Sequence, residues 1–231
     1  MLPVPRDVLA SETCCLIPMY NEQEVIAEVI HGLKAVFQNI LCVDDGSTDE
    51  SVSRAREAGA SVICHAVNIG QGAAIATGFI WIQTKTNFSR IVTFDADGQH
   101  RPHDAYRLVA ELKDKNVDVV FASRFLEQDQ ASIPLVKRVV LKSVARITKT
   151  LTDVQLSDAH NGLRALTVDA SRKIQLTQNG MAHATQFVSL VLQGGLKYSE
   201  LPVTILYTPY SRSKGQSILN GVNIVLDLIW G

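Results

Sequence analysis

A chain of 231 residues is long enough for one α/β domain, and a composition of 46% hydrophobic and 19% charged residues supplies a sizeable core and excludes a disordered polypeptide. The formal charge of -1 leaves no global attraction for nucleic acid, so any electrostatic role is local. Cys14, Cys15, Cys42 and Cys64 lie in or beside apolar runs, with no CxxC pair and no histidine at ligand spacing; this predicts buried thiols in a reducing compartment, not disulfides or zinc.

The opening "MLPVPRDVLASE" places two prolines, an Arg and an Asp before any long apolar run, which is not a signal-peptide pattern. "TCCLIP" (13–18) then reads as a strand, followed by a helix from about Glu22 to Phe37. "NILCVD" (39–44) is a second strand, and "STDESVSRAREAG" opens with a capping Ser or Thr and closes in Gly, as helices do. Next come the strand "SVICHA" (61–66), a helix through "QGAAIATGFIWIQ" and the strand "RIVTFD" (90–95). A helix after "RPHDAYRLVAELKD" leads to the strand "VDVVFAS" (117–123). Strands alternating with helices predict a mainly parallel sheet with helices on both faces and right-handed crossovers. Such sheets bind ligands beyond the carboxyl ends of their strands. The polar clusters "PMYNE", "VDDGSTD" and "DADGQH" all follow strands at that end.

In "IVTFDADGQH" (91–100), Asp95, Asp97 and Gln99 alternate after an apolar run. An extended backbone would send all three to one side. Two carboxylates held together repel unless a cation lies between them, and an oxygen-only trio suits Mg²⁺ or Mn²⁺. A solvated strand-to-loop turn accounts for the same residues. In "VDDGSTDES", capping of the next helix accounts for Ser47, Thr48 and Asp49 but not for the adjacent Asp44 and Asp45, one of which must point over the sheet edge. A carboxylate there suits a nucleobase or ribose. Gly70 and Gly72 match neither GxGxxG nor a Walker loop, so close packing of a helix start is the better reading. His31, His65, His100, His103, His160 and His183 are assigned no metal.

"LVKRVVLKSVARITKTL" carries Arg138, Lys142, Arg146 and Lys149 on one helical stripe and Val136, Val140, Val144, Ile147 and Leu151 on the other. A solvated surface helix accounts for it, and so does a helix lying on anionic lipid. The final "SILNGVNIVLDLIWG" stops within an amphipathic pattern, so a longer natural chain is expected. No run reaches the eighteen or so uncharged apolar residues of a membrane span, which predicts a cytoplasmic protein.

Seven segments in order, "PMYNE", "VDDGSTDES", "NIGQG", "DADGQH", "ASRF", "DAHNGLR" and "YSRSKGQS", resemble the family 2 glycosyltransferases of the GT-A fold. Within that family the likeness is to the polyprenyl-phosphate sugar transferases typified by dolichol-phosphate mannose synthase. The resemblance implies a three-layer α/β/α fold over residues 1–217, followed by an amphipathic segment, 218–231. It implies that Pro18, Tyr20, Glu22, Val43 and Asp45 hold the nucleoside, that Ala96 and Arg212 serve the donor diphosphate, that Ser217 also binds the donor, and that Asp95, Asp97 and Gln99 hold Mg²⁺ or Mn²⁺. Ser123, Arg124 and Arg138 would face the acceptor phosphate, and Asp97 and Asp158 would be the catalytic carboxylates. Two positions depart from the family pattern. Ile218 stands where a Lys is common, with Lys214 a candidate replacement for its charge, and Gln186 stands where a Glu is expected.

The implied reaction is inverting transfer from a GDP-, UDP- or dTDP-linked sugar to a polyprenyl phosphate at the inner face of the membrane. Metal and Arg212 would stabilise the leaving diphosphate. An alcohol acceptor would need a general base, for which Asp158 is the candidate; a phosphate acceptor arrives ionised, and Arg124 and Arg138 then matter more. A saccharide acceptor, or a non-catalytic nucleotide-sugar-binding subunit, are the alternatives, and intact Asp95, Asp97, Asp158 and Arg212 argue against the latter. A nucleotidyltransferase is disfavoured because "PMYNEQE" is acidic where such enzymes carry a basic Gly-rich loop. The expected setting is peripheral, on a membrane surface, with a small membrane protein as a possible second anchor.

Overall fold

Strand β1 (Thr13–Met19) is buried at all seven positions, as expected of a central strand covered on both faces. The computed structural model of the protein describes residues 8–126, 156–208 and 210. Around β1 lie β2 (Asn39–Asp44), β3 (Ser61–Cys64), β4 (Arg90–Thr93), β5 (Val119–Ser123), β6 (Arg164–Thr167) and β7 (Tyr198–Pro202), in the order β3-β2-β1-β4-β6-β5-β7. β1 pairs in parallel with β2 and β4, with Leu16 beside Leu41 on one flank and Thr93 on the other. β6 runs antiparallel to both β4 and β5, while β5 and β7 are parallel.

Alternation along β1 divides the core into two layers. Cys15, Ile17 and Met19 pack under α2 (Ile26–Lys34), α3 (Ser51–Glu57) and α5 (Pro102–Asp114), beside α1 (Val8–Ser11). Cys14 and Leu16 pack under α4 (Gln71–Lys85), α6 (Val168–Lys173) and α7 (His183–Gln193). The result is the expected three-layer α/β/α arrangement. At Gly78 α4 lies close against the sheet, since any Cβ there would collide with the Leu16 side chain.

Three local expectations differ. The first long helix begins at Ile26, four residues later than its pattern suggests, because Asn21 takes φ 53° and the Glu22 carbonyl accepts from both Val25 and Ile26 amides in a turn. Ser47 and Thr48 do not cap α3, whose N-cap, Glu50, makes no side-chain cap bond, while Asp49 Oδ1 accepts from the Ser51 amide at 2.9 Å at the helix start as expected. Cys64 is exposed, because β3 is an edge strand; Cys14, Cys15 and Cys42 are buried free thiols as expected. No helix among the described residues is long and apolar enough to cross a membrane.

Candidate active site

The loops that leave β1 and β2 are knitted to each other. Asn21 and Glu22 amides donate to Ser47 Oγ at 2.9 Å and Ser51 Oγ at 2.7 Å. Thr48 N donates back to Asn21 Oδ1 at 2.9 Å, and the Gln23 amide donates to Asp49 at 3.2 Å. Asp45 is more heavily engaged still. Its carboxylate accepts from the amides of Ile69 at 3.0 Å and Gly70 at 2.7 Å and from His65 Nδ1 at 2.8 Å. His65 Nε2 continues to Thr77 Oγ1 at 2.9 Å, so Asp45 ties the loop after β3 to the start of α4. Gly70, at φ 118°, and Gly72 allow that start to touch the 178–180 loop, where Gly72 N donates to the Asn179 carbonyl at 2.8 Å. Close packing is thus the role these glycines show.

Beyond β4 the backbone leaves the extended conformation and turns at Ala96 and Asp97, with Gly98 at φ 72°. Asp95 and Asp97 therefore do not project as a simple alternating pair. The Asp95 carboxylate accepts from Gln71 Nε2 at 3.3 Å and faces His100 Nε2 at 3.0 Å. It rests directly above Gly162, where any Cβ would strike it. Burial works to raise its pKa, but the bond and charge of His100 and the charge of Arg164 carry it below the ordinary value. Among the described residues Asp97 accepts one bond, from the Gln99 amide at 3.0 Å. Burial and then the neighbouring Asp95 charge push its pKa up to about 6. Two carboxylates held at that electrostatic cost fit a hard divalent cation. Among the described residues no set of three or more His, Cys, Asp or Glu forms a metal cage, so water and ligand oxygens would complete the shell, as Mg²⁺ commonly arranges.

Across the sheet, Asp158 and Arg124 form a buried two-pronged ion pair, Nε to Oδ2 at 2.7 Å and Nη2 to Oδ1 at 2.8 Å. The Arg124 amide and Asn161 Nδ2 also donate to Asp158 Oδ2, at 3.1 and 3.2 Å. Burial raises the Asp158 pKa, yet the Arg124 charge and these bonds outweigh it and hold the group below its usual range. A carboxylate with four donors and a lowered pKa is a weak base. Ser123 Oγ meets Ser157, which Glu200 holds in turn.

A cavity of about 440 Å³ joins the β1–β2 loops to the acidic turn. It is lined by Pro18, Tyr20, Glu22 and Asp45 from the β1–β2 side and by Asp95, Ala96 and Asp97 from the acidic turn. Val43, Gln99, Ser123, Arg124 and Asp158 are not in its wall. Arg138, Arg212 and Ser217, the basic stripe and residues 218–231 lie outside the described residues. The wall also holds His160, Arg164 and His183, to which sequence reading gave no role. Their only signal was position: His160 and Arg164 flank Gly162 in "DAHNGLR", and His183 opens a helix.

A model described as Glycosyl transferase family 2 matches residues 14–174. The chain belongs to that family. Among the transferase's relatives, the UDP-N-acetylglucosamine–dolichyl-phosphate N-acetylglucosaminyltransferase of Methanococcus voltae is 28% identical over 93% of this chain and 93% of its own. The polyprenol monophosphomannose synthase of Mycolicibacterium smegmatis is 29% identical, over 92% of this chain and 82% of its own. The transferase is also similar in fold to glucosyl-3-phosphoglycerate synthase of Mycobacterium tuberculosis, solved with Mn²⁺, UDP and phosphoglyceric acid. The TM-score is 0.66 at 18% identity, covering 94% of this chain and 77% of that one. The GT-A expectation thus holds for the transferase.

Proposed function

We propose that this transferase moves a hexose, with inversion, from a nucleotide-diphosphate sugar to a polyprenyl phosphate at the cytoplasmic face of a membrane. The observation that carries the reading is a single cavity spanning the β1–β2 loops and the Asp95–Asp97 turn. A nucleoside fits the first end and a diphosphate the second. Tyr20, Glu22 and Pro18 would contact the nucleoside, with Val43 beneath them, while Asp45 fixes the loop that borders it. Asp95 and Asp97, with Gln99 beside them, would hold Mg²⁺ or Mn²⁺, which supplies charge stabilisation for the departing diphosphate. Arg212 and Ser217 would add to that stabilisation from the donor side.

A phosphate acceptor agrees with the state of Asp158. The second pKa of a phosphate monoester is about 6, so a polyprenyl phosphate needs no base to ionise it at neutral pH. Asp158 would then serve catalysis by orienting Arg124, with Ser123 and Arg138, towards the acceptor. An alcohol would need a proton acceptor, and Asp158 is committed elsewhere. Residues 1–217 would form the catalytic domain. The basic stripe around 136–151 and the amphipathic 218–231 segment would hold it on anionic lipid, where each basic residue is worth about 1 kcal/mol, with room for a small membrane-protein partner.

The test is transfer with Mg²⁺ or Mn²⁺ from a panel of UDP-, GDP- and dTDP-sugars, offering undecaprenyl or dolichyl phosphate, the matching alcohol, and a free saccharide. Inverted glycosyl phospholipid is the expected product. Transfer to the alcohol or saccharide in preference to the phosphate would transfer the assignment to a hydroxyl-acceptor enzyme.

A further inference from the structure

The acidic turn holds its two carboxylates unequally. Among the described residues Asp97 accepts a single bond, from the Gln99 amide. Asp95 has the Gly162 backbone against it, Gln71 Nε2 on Oδ1 at 3.3 Å and His100 Nε2 on Oδ2 at 3.0 Å. An ionised carboxylate only accepts, so the proton of that last bond belongs to His100. Each carboxylate oxygen has two lone pairs, so Asp95 keeps capacity to ligate a cation. Its side chain lines the cavity and leaves 26% of its surface open.

His100 is buried and lies behind that wall, not in it. Its ring makes a T-shaped contact with Phe94, centroids 5.6 Å apart, and the next residue, Arg101, is the N-cap of α5. The core and a helix start therefore fix where the ring stands. Its second nitrogen, Nδ1, is closed off from solvent and meets no partner among the described residues. Buried polar atoms are almost always paired, so this one is carried at a cost in stability. Packing against Phe94 gives no reason for that cost, because an apolar side chain would pack there without it. The polar service the ring performs is the proton given to Asp95. Neither nitrogen is open to the cavity, so His100 is not itself a ligand. Resting on the reading of the acidic turn as the cation site, we propose that His100 is a positioning residue, whose Nε2–H sets the Asp95 carboxylate in its ligating orientation before Mg²⁺ or Mn²⁺ arrives. Partners of this kind, hydrogen-bonded to a ligating carboxylate, are commonly worth about ten- to a hundredfold in metal affinity.

The experiment is titration of the full chain with Mn²⁺, free ion being read by electron paramagnetic resonance, in the presence of UDP, GDP or dTDP in turn. His100→Leu should bind Mn²⁺ about tenfold or more weakly than the wild type. His100→Gln places an amide where Nε2 stood and should recover most of the affinity. His100→Asn has the same chemistry with a shorter reach, falls short of Asp95 and should behave as His100→Leu. The Gln and Asn variants keep the test open if the Leu variant does not fold. Without metal these two should melt at similar temperatures, so that their difference in Mn²⁺ affinity is not a difference in folding. In transfer assays the loss should appear as a raised Mn²⁺ requirement, with turnover restored at saturating Mn²⁺. Equal Mn²⁺ affinity in the wild type and the Asn variant overturns the proposal, as does failure of the Gln variant to exceed the Asn one. Metal-free melting temperatures that separate Gln from Asn while Mn²⁺ affinities stay equal would make the histidine purely structural. Absence of Mn²⁺ binding by the wild type with every nucleotide would instead remove the cation from the acidic turn, and this inference with it.

Discussion

Two ends of one cavity solve opposite problems. At the β1–β2 end almost every polar side chain is matched by another part of the protein: Asp45 has three protein donors, and Ser47, Asp49 and Ser51 hold the preceding loop. Asp44 Oδ1, buried and without a partner among the described residues, is the exception. At the β4–β6 end, among the described residues, Asp97 has one donor and His160 none, and their pKa values move to about 6 and about 4. The first end spends its polar groups on shape. The second holds unmatched groups at a cost in stability, which is how a site prepared for a charged ligand differs from a scaffold.

The comparison breaks most visibly at Asp97. Asp97→Ala should lower turnover by about 1,000-fold, the scale of losing a main electrostatic stabiliser, with the circular-dichroism spectrum unchanged. Excess chelator should reproduce the loss in the wild type, and full activity in either case would remove the metal from the site. In stability the order reverses. Asp158→Asn strands the buried Arg124 cation and should cost about 3 kcal/mol in urea unfolding. Asp97→Asn relieves repulsion with Asp95 and should be neutral or stabilising by up to about 1 kcal/mol. Similar losses for both would erase the distinction between scaffold and site.

Smaller effects sharpen the contrast. Asp45→Asn sets a side-chain NH2 donor against one of the loop amides of Ile69 and Gly70 and should weaken nucleotide binding by about tenfold in calorimetry, through position and not charge neutralisation. The acid response of His160 is smaller. Its folded pKa, about 4, lies below the unfolded value of 6.5, so the unfolded chain takes the proton first. The stability it contributes is complete above about 6.5 and drains away as pH falls towards 4, by about 0.7 kcal/mol between pH 7 and pH 6. Urea midpoints at those two pH values should show the drop, and His160→Phe should flatten it.

The sequence discloses the parallel half of the sheet because β1, β2 and β4 are apolar runs divided by helical periods, a pattern that local chemistry imposes. It does not disclose β6. "RALT" is four residues long, follows a loop and runs directly into α6, so neither length nor alternation marks it, and its antiparallel pairing with β4 is a long-range event. The same divide runs through the site. Asp95 and Asp97 are visible as a cluster after a strand. The turn that separates their directions depends on Gly98, and the seat of Asp95 depends on Gly162, more than sixty residues away in the chain. Ser47 and Thr48 look like caps from their neighbours alone but pair with Asn21 in another loop, and Asp49 divides its carboxylate between Gln23 there and the Ser51 amide of its own helix.

The reversed strand β6 also sets an order of events during synthesis. It lies between β4 and β5, though both are translated before it. While residues after β5 are still being made, the growing edge of β4 has no permanent neighbour, because β5 does not pair with it in the finished sheet. Ribosomes add about 5–20 residues per second, so this edge waits for seconds until β6 emerges. Only then does Gly162 slide under Asp95 and the acidic turn gain its floor. A nascent chain arrested before β6 would carry most of the nucleoside end and an open, apolar strand margin. That makes this interval the one in which a chaperone has most to protect.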